Sequence, residues 1–272
     1  LNGYCALLYS DLEKGKIHDM EARKAILEYL KGSATCHLSF PVQAHSDRVV
    51  WAQKDHVHGS SDGILSTGRK QEYISIQVAD CVPIYIVDKK KGYCGLVHSG
   101  WRGTLKSIIL NAVHRLEESG AILKDLHFLL GPHIHQQDYE VDYDVAVQFP
   151  DNCIRENGDK WLLSISQKIV NDLKSYGVKN KQINISEISS QCDFGSIPFS
   201  HAVLCIFYRN DEVEVYNRGT CQEKSVRQES PSTGCLVQGF PRSPRAAEVQ
   251  ARLKAGEPLH NNTGCPARRL LG

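Results

Sequence analysis

The chain has 272 residues, 41% of them apolar and 23% charged, the composition of an ordinary globular protein with a substantial core. Lys and Arg number 32 against 31 Asp and Glu, so no overall charge draws it toward nucleic acid or a membrane surface. No apolar run approaches the roughly 20 residues a membrane-spanning helix needs.

In chain order, Glu21 to Leu30 shows helical spacing (Ala22, Ala25, Ile26, Tyr29) and stops at Gly32. Val42 to Trp51 and Tyr73 to Val78 read as strands. The stretch from Val78 to Leu116 concentrates the reactive chemistry. Ile84 and Ile86, then Tyr93, Gly95 and Val97, flank the polar turn Asp88-Lys89-Lys90-Lys91-Gly92, which predicts a hairpin with a longer loop. Cys81 opens that hairpin and His98 closes it. Antiparallel pairing about residue 90 sets the two beside each other or nearly so, where a thiol and an imidazole can share a metal or a proton.

Beyond His98, Ser99-Gly100-Trp101-Arg102-Gly103 leads into Leu105, Ile108, Ile109, Ala112, Val113 and Leu116, spaced as the buried stripe of one amphipathic helix. The helix start and Arg102 could receive an anion, and Gly100 and Gly103 would let phosphate approach the backbone. The same residues could equally form a plain strand-to-helix turn with Arg102 on the surface. Leu126 to Leu130 reads as a short buried strand ending in Gly131-Pro132. Ser164 to Tyr176, with Ile165, Ile169 and Leu173 on one face and Gly177 behind, is a second helix, and Ile183 to Ile188 a further strand. Strands that pair mostly as hairpins, with helices between them, favour an α+β class.

From residue 219 to 272 the composition changes: eight basic residues against four acidic, five of the ten prolines, and Phe240 as the sole aromatic. Apart from a short helical pattern at Ala246 to Leu253, this tail reads as disordered or as non-native sequence, which leaves residues 1–218 as one domain. Ten cysteines show neither C-x-x-C nor regular spacing, and no signal peptide is visible. That fits a reduced, cytoplasmic protein.

Several short motifs share an order. They are Gln43-Ala44-His45, Ser61-Asp62-Gly63-Ile64-Leu65-Ser66-Thr67, Ala79-Asp80-Cys81-Val82-Pro83, His98-Ser99-Gly100-Trp101-Arg102-Gly103, Leu130-Gly131-Pro132-His133-Ile134 and Tyr139-Glu140-Val141, with Cys192 further on. Together they resemble the YfiH-like family, whose members go by two names, polyphenol oxidase (laccase) and purine nucleoside phosphorylase. The resemblance spans about residues 40 to 200. It departs at Ser46, where the family usually has glycine, and at the start, where the family's glycine-rich opening is not seen and the N-terminal end reads as truncated. After Pro198-Phe199-Ser200-His201 the pattern is lost, which puts the last strands in question. The resemblance implies a layered α/β/β/α sandwich and a single YfiH-like catalytic domain over residues 1–218.

It also joins His45 to Cys81 and His98. Two nitrogens and one thiolate suit Zn2+ and are acceptable to Cu2+, and three protein ligands leave a fourth position open, as in catalytic rather than structural sites. Taken singly, each of these residues would more often be a satisfied core group. Arg102 and Gly103 are the phosphate-binding candidates. Arg48 joins them only if a bulge at Ser46-Asp47 turns it off the opposite strand face. Asp62 is a candidate acid or base, or a turn former before Gly63. Asp80 alternates away from Cys81 and suits a structural hydrogen bond. Trp101 could stack a purine or pack beneath its loop. Of two His-x-His pairs, His56/His58 and His133/His135, the second lies nearer the family's site-lining segment and offers additional ligands.

The resemblance implies a metal-dependent purine nucleoside phosphorylase acting on adenosine or inosine with phosphate, with adenosine deamination at the same centre. A copper-dependent polyphenol oxidase is the alternative, although two His-x-His pairs supply fewer ligands than a conventional multicopper site. A third reading drops the metal and makes Cys81 the nucleophile and His98 the base of a hydrolase. All three take small molecules as substrates, and the chain is expected to be a monomer without nucleic-acid or membrane partners.

Overall fold

The structure is a computed structural model and describes residues 4–9, 20, 21, 23, 24, 27, 37–69, 71–191 and 203–209. Cys192, the 198–201 motif and the whole of the 219–272 tail lie outside the described residues, as does most of the first predicted helix, of which residues 20, 21, 23, 24 and 27 are helical.

The strands are β1 (Tyr4–Tyr9), β2 (His37–Pro41), β3 (Val49–Trp51), β4 (His56–His58), β5 (Gly63–Ser66), β6 (Glu72–Val78) and β7 (Val82–Asp88). They continue with β8 (Cys94–Ser99), β9 (Leu126–Leu130), β10 (Glu140–Val141), β11 (Ile154–Asn157), β12 (Lys160–Leu163), β13 (Ile183–Ile185) and β14 (Val203–Arg209). The helices that matter here are α1 (Trp101–Leu105), α2 (Ile108–Glu118), α3 (Tyr143–Ala146) and α4 (Ile165–Tyr176). One sheet runs β1-β14-β6-β2-β4, a second β13-β9-β7-β8-β5-β3, and a small third β10-β12-β11.

Every residue of β7 and β8 is buried, because their sheet is covered on both faces and cannot alternate apolar with polar. Val82, Ile84, Ile86 and Val97 pack with Ile109, Ala112, Val113 and Leu116 of α2 and with Ile165, Ile169 and Leu173 of α4. On the other face Tyr85, Val87, Cys94 and Leu96 meet Ile74, Ile76 and Val78 of β6 and Phe207 of β14. The far side of that partner sheet meets helical Arg23, whose buried guanidinium lies 3.9 Å over the Phe40 ring and donates to Ser75 Oγ at 2.9 Å. Helix, sheet, sheet, helix is the layering the resemblance implied, and the class is α+β.

The central hairpin forms as predicted, with its register two residues from the expected one: Pro83, not Cys81, stands opposite His98. Asp88 sets that register. Its Oδ1 accepts from Lys90 N and Lys91 N, both at 2.8 Å, and Gly92 takes φ +83° to close the loop. Cys81 therefore sits one residue before β7, diagonal to His98.

Three other expectations change. The helix expected beyond Gly103 starts at Trp101 and breaks at Ser107, which has φ +53° and donates through Oγ to Asp172 Oδ2 of α4 at 3.0 Å. The Val42–Trp51 strand is only β3, because residues 42–48 leave the ladder to wrap a carboxylate. The strand from Ile183 stops at Ile185, where Ser186 Oγ accepts from Ile188 N. Pairing is also less hairpin-like than expected, with β13–β9, β2–β4, β2–β6 and β3–β5 all parallel. β14 occupies the region where the family pattern is lost, yet it pairs with both β1 and β6. The Leu126–Leu130 strand and α4 stand where they were expected, the latter with Ser164 as N-cap and Gly177 at φ +108°.

Candidate metal centre

Three chain segments deliver one candidate ligand each. Alternation along β8 puts His98 on the face of Leu96 and Cys94, toward the other sheet, at the strand's last turn-facing position. Cys81 comes from the bend between β6 and β7. His45 comes from the loop after β2 and holds φ +54°, a left-handed conformation that a non-glycine residue keeps only when its surroundings fix it.

The fixing group is Asp62, which is 0% exposed. Its Oδ1 accepts from His45 N at 3.0 Å and from His98 Nδ1 at 2.8 Å. Its Oδ2 accepts from Ala44 N at 3.2 Å, Ser46 N at 2.6 Å and Ser46 Oγ at 2.7 Å. Read from sequence as an acid, a base or a turn former, Asp62 has both oxygens engaged by the loop of His45 and by His98, two of the three candidate ligands. Because it occupies Nδ1 of His98, that ring turns its Nε2 toward Cys81, the arrangement by which carboxylates orient metal-binding histidines. Gln43 secures the same loop to β6: its Nε2 donates to Gln77 O and its Oε1 accepts from Gln77 N, both at 2.7 Å. Ser46, the departure from the family pattern, contributes two of the donors to Asp62.

The ligand atoms of His45, Cys81 and His98 all lie within 4.8 Å of one another, and among the described residues this is the one group of three or more that could hold an ion. His45 is exposed, Cys81 half-buried and His98 buried, so the cluster opens on one side. The two imidazole rings meet edge to face at 4.9 Å. Gly100 completes the cradle: a Cβ there would stand 2.9 Å from Cys81 Sγ and 2.9 Å from His45 Cδ2.

The electrostatics follow from this packing. Burial pushes the Cys81 thiol up, but hydrogen bonds from His45 and His98 outweigh it and bring the thiol down to about 7. Burial lowers His98, while its bonds to Asp62 and Cys81 raise it to about 9. Burial raises Asp62, and its bonds from His98 and Ser46 pull it down to about 2. An ionised sulfur beside a carboxylate-oriented imidazole is the donor set a zinc or copper ion requires, so the residues fit the metal implied by the resemblance.

Arg102 is exposed on α1 with its guanidinium 4.2 Å over the Trp101 ring, and Trp101 packs half-buried against the core. The space beyond Gly103 is filled by Ser46 O, 3.0 Å from where a Cβ would stand, so its backbone approaches the His45 loop. Tyr139, which motif reading left without a role, is raised to about 12 by burial and by the charges of Cys81 and Asp80, with Arg102 opposing. Asp80 is structural: its Oδ1 accepts from Ser190 Oγ at 2.8 Å and Gln191 Nε2 at 3.2 Å.

Arg48, His56, His58, His133 and His135 stand outside the group of three. Arg48 is exposed and lines a cleft of about 840 Å³ with Trp51, His56, His58, Asn111 and Arg115. His58 is spent within the fold, its Nε2 bonded to Ser39 Oγ at 2.9 Å, and burial, then His56 and Arg48, lower it to about 4. Burial likewise lowers His133 to about 4, and its ring lies 4.9 Å from that of His135. Cys81, Cys94, Cys153 and Cys205 are free thiols, and no helix among the described residues is long and apolar enough to cross a membrane.

Residues 15–202 match the family described as multi-copper polyphenol oxidoreductase laccase. A purine nucleoside phosphorylase of Rickettsia conorii is 31% identical over 179 residues, 62% of this chain and 71% of that protein. One from Aquifex aeolicus is 30% identical over 156 residues, 57% and 73% of the two chains. Among solved structures, YlmD from Geobacillus stearothermophilus superposes with a TM-score of 0.68 at 21% identity, over 77% of this chain and 93% of that one. The Bacillus licheniformis hypothetical protein YfiH gives 0.64 at 23%, over 72% and 82%. The chain thus belongs to the YfiH-like family of multi-copper polyphenol oxidoreductase laccases, an enzyme family whose fold it shares.

Proposed function

We propose that this protein is a metal-dependent purine nucleoside phosphorylase that also deaminates adenosine. The observation that carries the reading is the convergence of His45, Cys81 and His98 on one point with an open side, with exposed Arg102 two residues beyond the Gly100 that touches it. The names of the relatives supply the substrate class.

His45, Cys81 and His98 would hold the ion, which when bound supplies Lewis acidity to an oxygen at the open side. In phosphorolysis a phosphate oxygen forms a bond to the anomeric carbon while the N-glycosidic bond breaks, and the base leaves with the bonding pair and takes up a proton. No protein nucleophile is needed. The chain contributes position and charge: Arg102 grips phosphate oxygens by paired hydrogen bonds, held flat by Trp101, and Asp62 keeps His45 and His98 in place. In deamination water adds at C6 of adenine and ammonia departs.

Copper-dependent phenol oxidation remains the second reading, favoured by the family's description alone. Incubating zinc-loaded protein with adenosine and phosphate tests the first: ribose 1-phosphate with adenine, and inosine without phosphate, are expected. Formation of none of these, with oxygen-dependent loss of a phenol by the copper-loaded protein, would favour the second.

A further inference from the structure

Among the described residues β3 ends its sheet, paired with β5 alone, so its outer edge has no neighbouring strand to bind its carbonyls. Helix α2 takes that place. Asn111 Nδ2 donates to Asp47 O at 2.9 Å, and the Arg115 guanidinium donates to Val49 O. The spacings agree: one helical turn from Asn111 to Arg115 rises about 6 Å, and two residues of strand advance about 6.6 Å. Between them Arg48 O faces the other way and accepts from Asp62 N at 2.9 Å and Gly63 N at 3.1 Å. Gly103 of α1 approaches Ser46 O, so both helices bear on the segment just after His45. His45 itself holds the left-handed φ of +54°, and Asp62 takes the amides of residues 44–46.

We propose that Asn111 and Arg115 are positioning residues for His45, fixing from α2 the register at which residues 44–46 reach Asp62 and the His45 ring meets Cys81 and His98. Asp62 binds this loop by its amides and α2 binds it by its carbonyls. The left-handed turn at His45 is therefore clamped between a carboxylate and a helix. Each donor acts through the backbone, 64 and 66 residues away in sequence from the carbonyl it holds. The effect on metal affinity rests on the reading of His45, Cys81 and His98 as a metal centre; the effect on the loop does not.

Hydrogen exchange on the full, metal-free chain tests the loop. In Asn111→Leu, which keeps the side chain's shape and loses its donor, the amides of Ala44, His45 and Ser46 should exchange about threefold to tenfold faster than in wild type, while those of β7 and β8 keep their rates. Arg115→Met, which keeps the apolar stem, should act in the same direction and guards against a misfolded first variant. Zinc titration against a competing chelator tests the ligand: affinity should fall about threefold to tenfold in either variant, whereas Ser39→Ala, which loosens the β4 side, should leave it unchanged. Wild-type exchange at residues 44–46 in both variants would overturn the proposal. So would an equal loss of protection across β7 and β8 in both, which marks a general loosening, or faster exchange with undiminished zinc affinity. Faster loop exchange in a protein whose wild type binds no zinc would uphold the positioning and sink the metal reading instead.

Discussion

Two histidine-bearing regions flank the loop that follows β2, and they spend their ring nitrogens differently. Around Asp62, the carboxylate takes Nδ1 of His98 and the backbone of His45, so Nε2 of His98 is left over for chemistry. On β4, the Ser39 hydroxyl takes Nε2 of His58, and burial keeps the ring neutral. Each ring has one nitrogen bonded within the fold, and which one that is, Nδ1 of His98 or Nε2 of His58, is not decided by sequence spacing alone.

The largest way to break this contrast is Cys81→Ala, which should abolish tight zinc binding and all turnover while His56→Ala leaves both unchanged. Dialysis equilibrium against a competing chelator measures the first and product formation the second. Asp62→Asn should lower zinc affinity about 10- to 100-fold, because the amide cannot accept from His98, His45 and Ser46 together.

Next comes Gly100→Ala. Its φ of −80° suits any residue, so the backbone is not strained, but the new Cβ collides with Cys81 Sγ and His45 Cδ2. Displacing Cys81 Sγ and the His45 ring predicts roughly a tenfold or greater loss of metal affinity, and overpacking of about 1–3 kcal/mol also lowers the melting temperature of the metal-free protein. Arg102→Ala should raise KM for phosphate and leave deamination intact. A phosphate dependence that survived this change would remove Arg102 from the anion site.

The smallest effects sharpen the β4 side. Ser39→Ala strands His58 Nε2 and Gln53 N and should cost about 1–3 kcal/mol in denaturant unfolding without touching zinc binding. His58 and His133 have folded values near 4, below the ordinary imidazole value of about 6.5, so in that interval the unfolded chain binds protons that the folded chain does not. The stability they contribute is complete above about 6.5 and is lost as pH falls toward 4, with His127 adding in the same direction. His58→Gln should flatten that decline in the metal-free protein, and an unchanged slope would show that the ring is not held neutral.

Much of this was legible in the residues because it rests on local patterns. The polar turn at Asp88–Gly92 announced the hairpin, and helical spacing announced α2 and α4. The segment from residue 42 to 48 was not legible as a loop: Val49, Val50 and Trp51 share a strand's composition with Val42, and only a distant carboxylate pulls the intervening amides out of the ladder. For the same reason Asp62 read as an acid or a turn former, since nothing nearby in sequence shows five donors converging on it. The break at Ser107 depends on Asp172, 65 residues on. The short strands β10 to β12 carry too few residues for periodicity to register.

The most direct test of the account is X-ray absorption at the zinc edge of the zinc-loaded protein. One ion held by His45, Cys81 and His98 predicts one sulfur near 2.3 Å and two imidazole nitrogens near 2.0–2.1 Å, with a lighter fourth neighbour. A spectrum without sulfur, or one unchanged in Cys81→Ala, would contradict it.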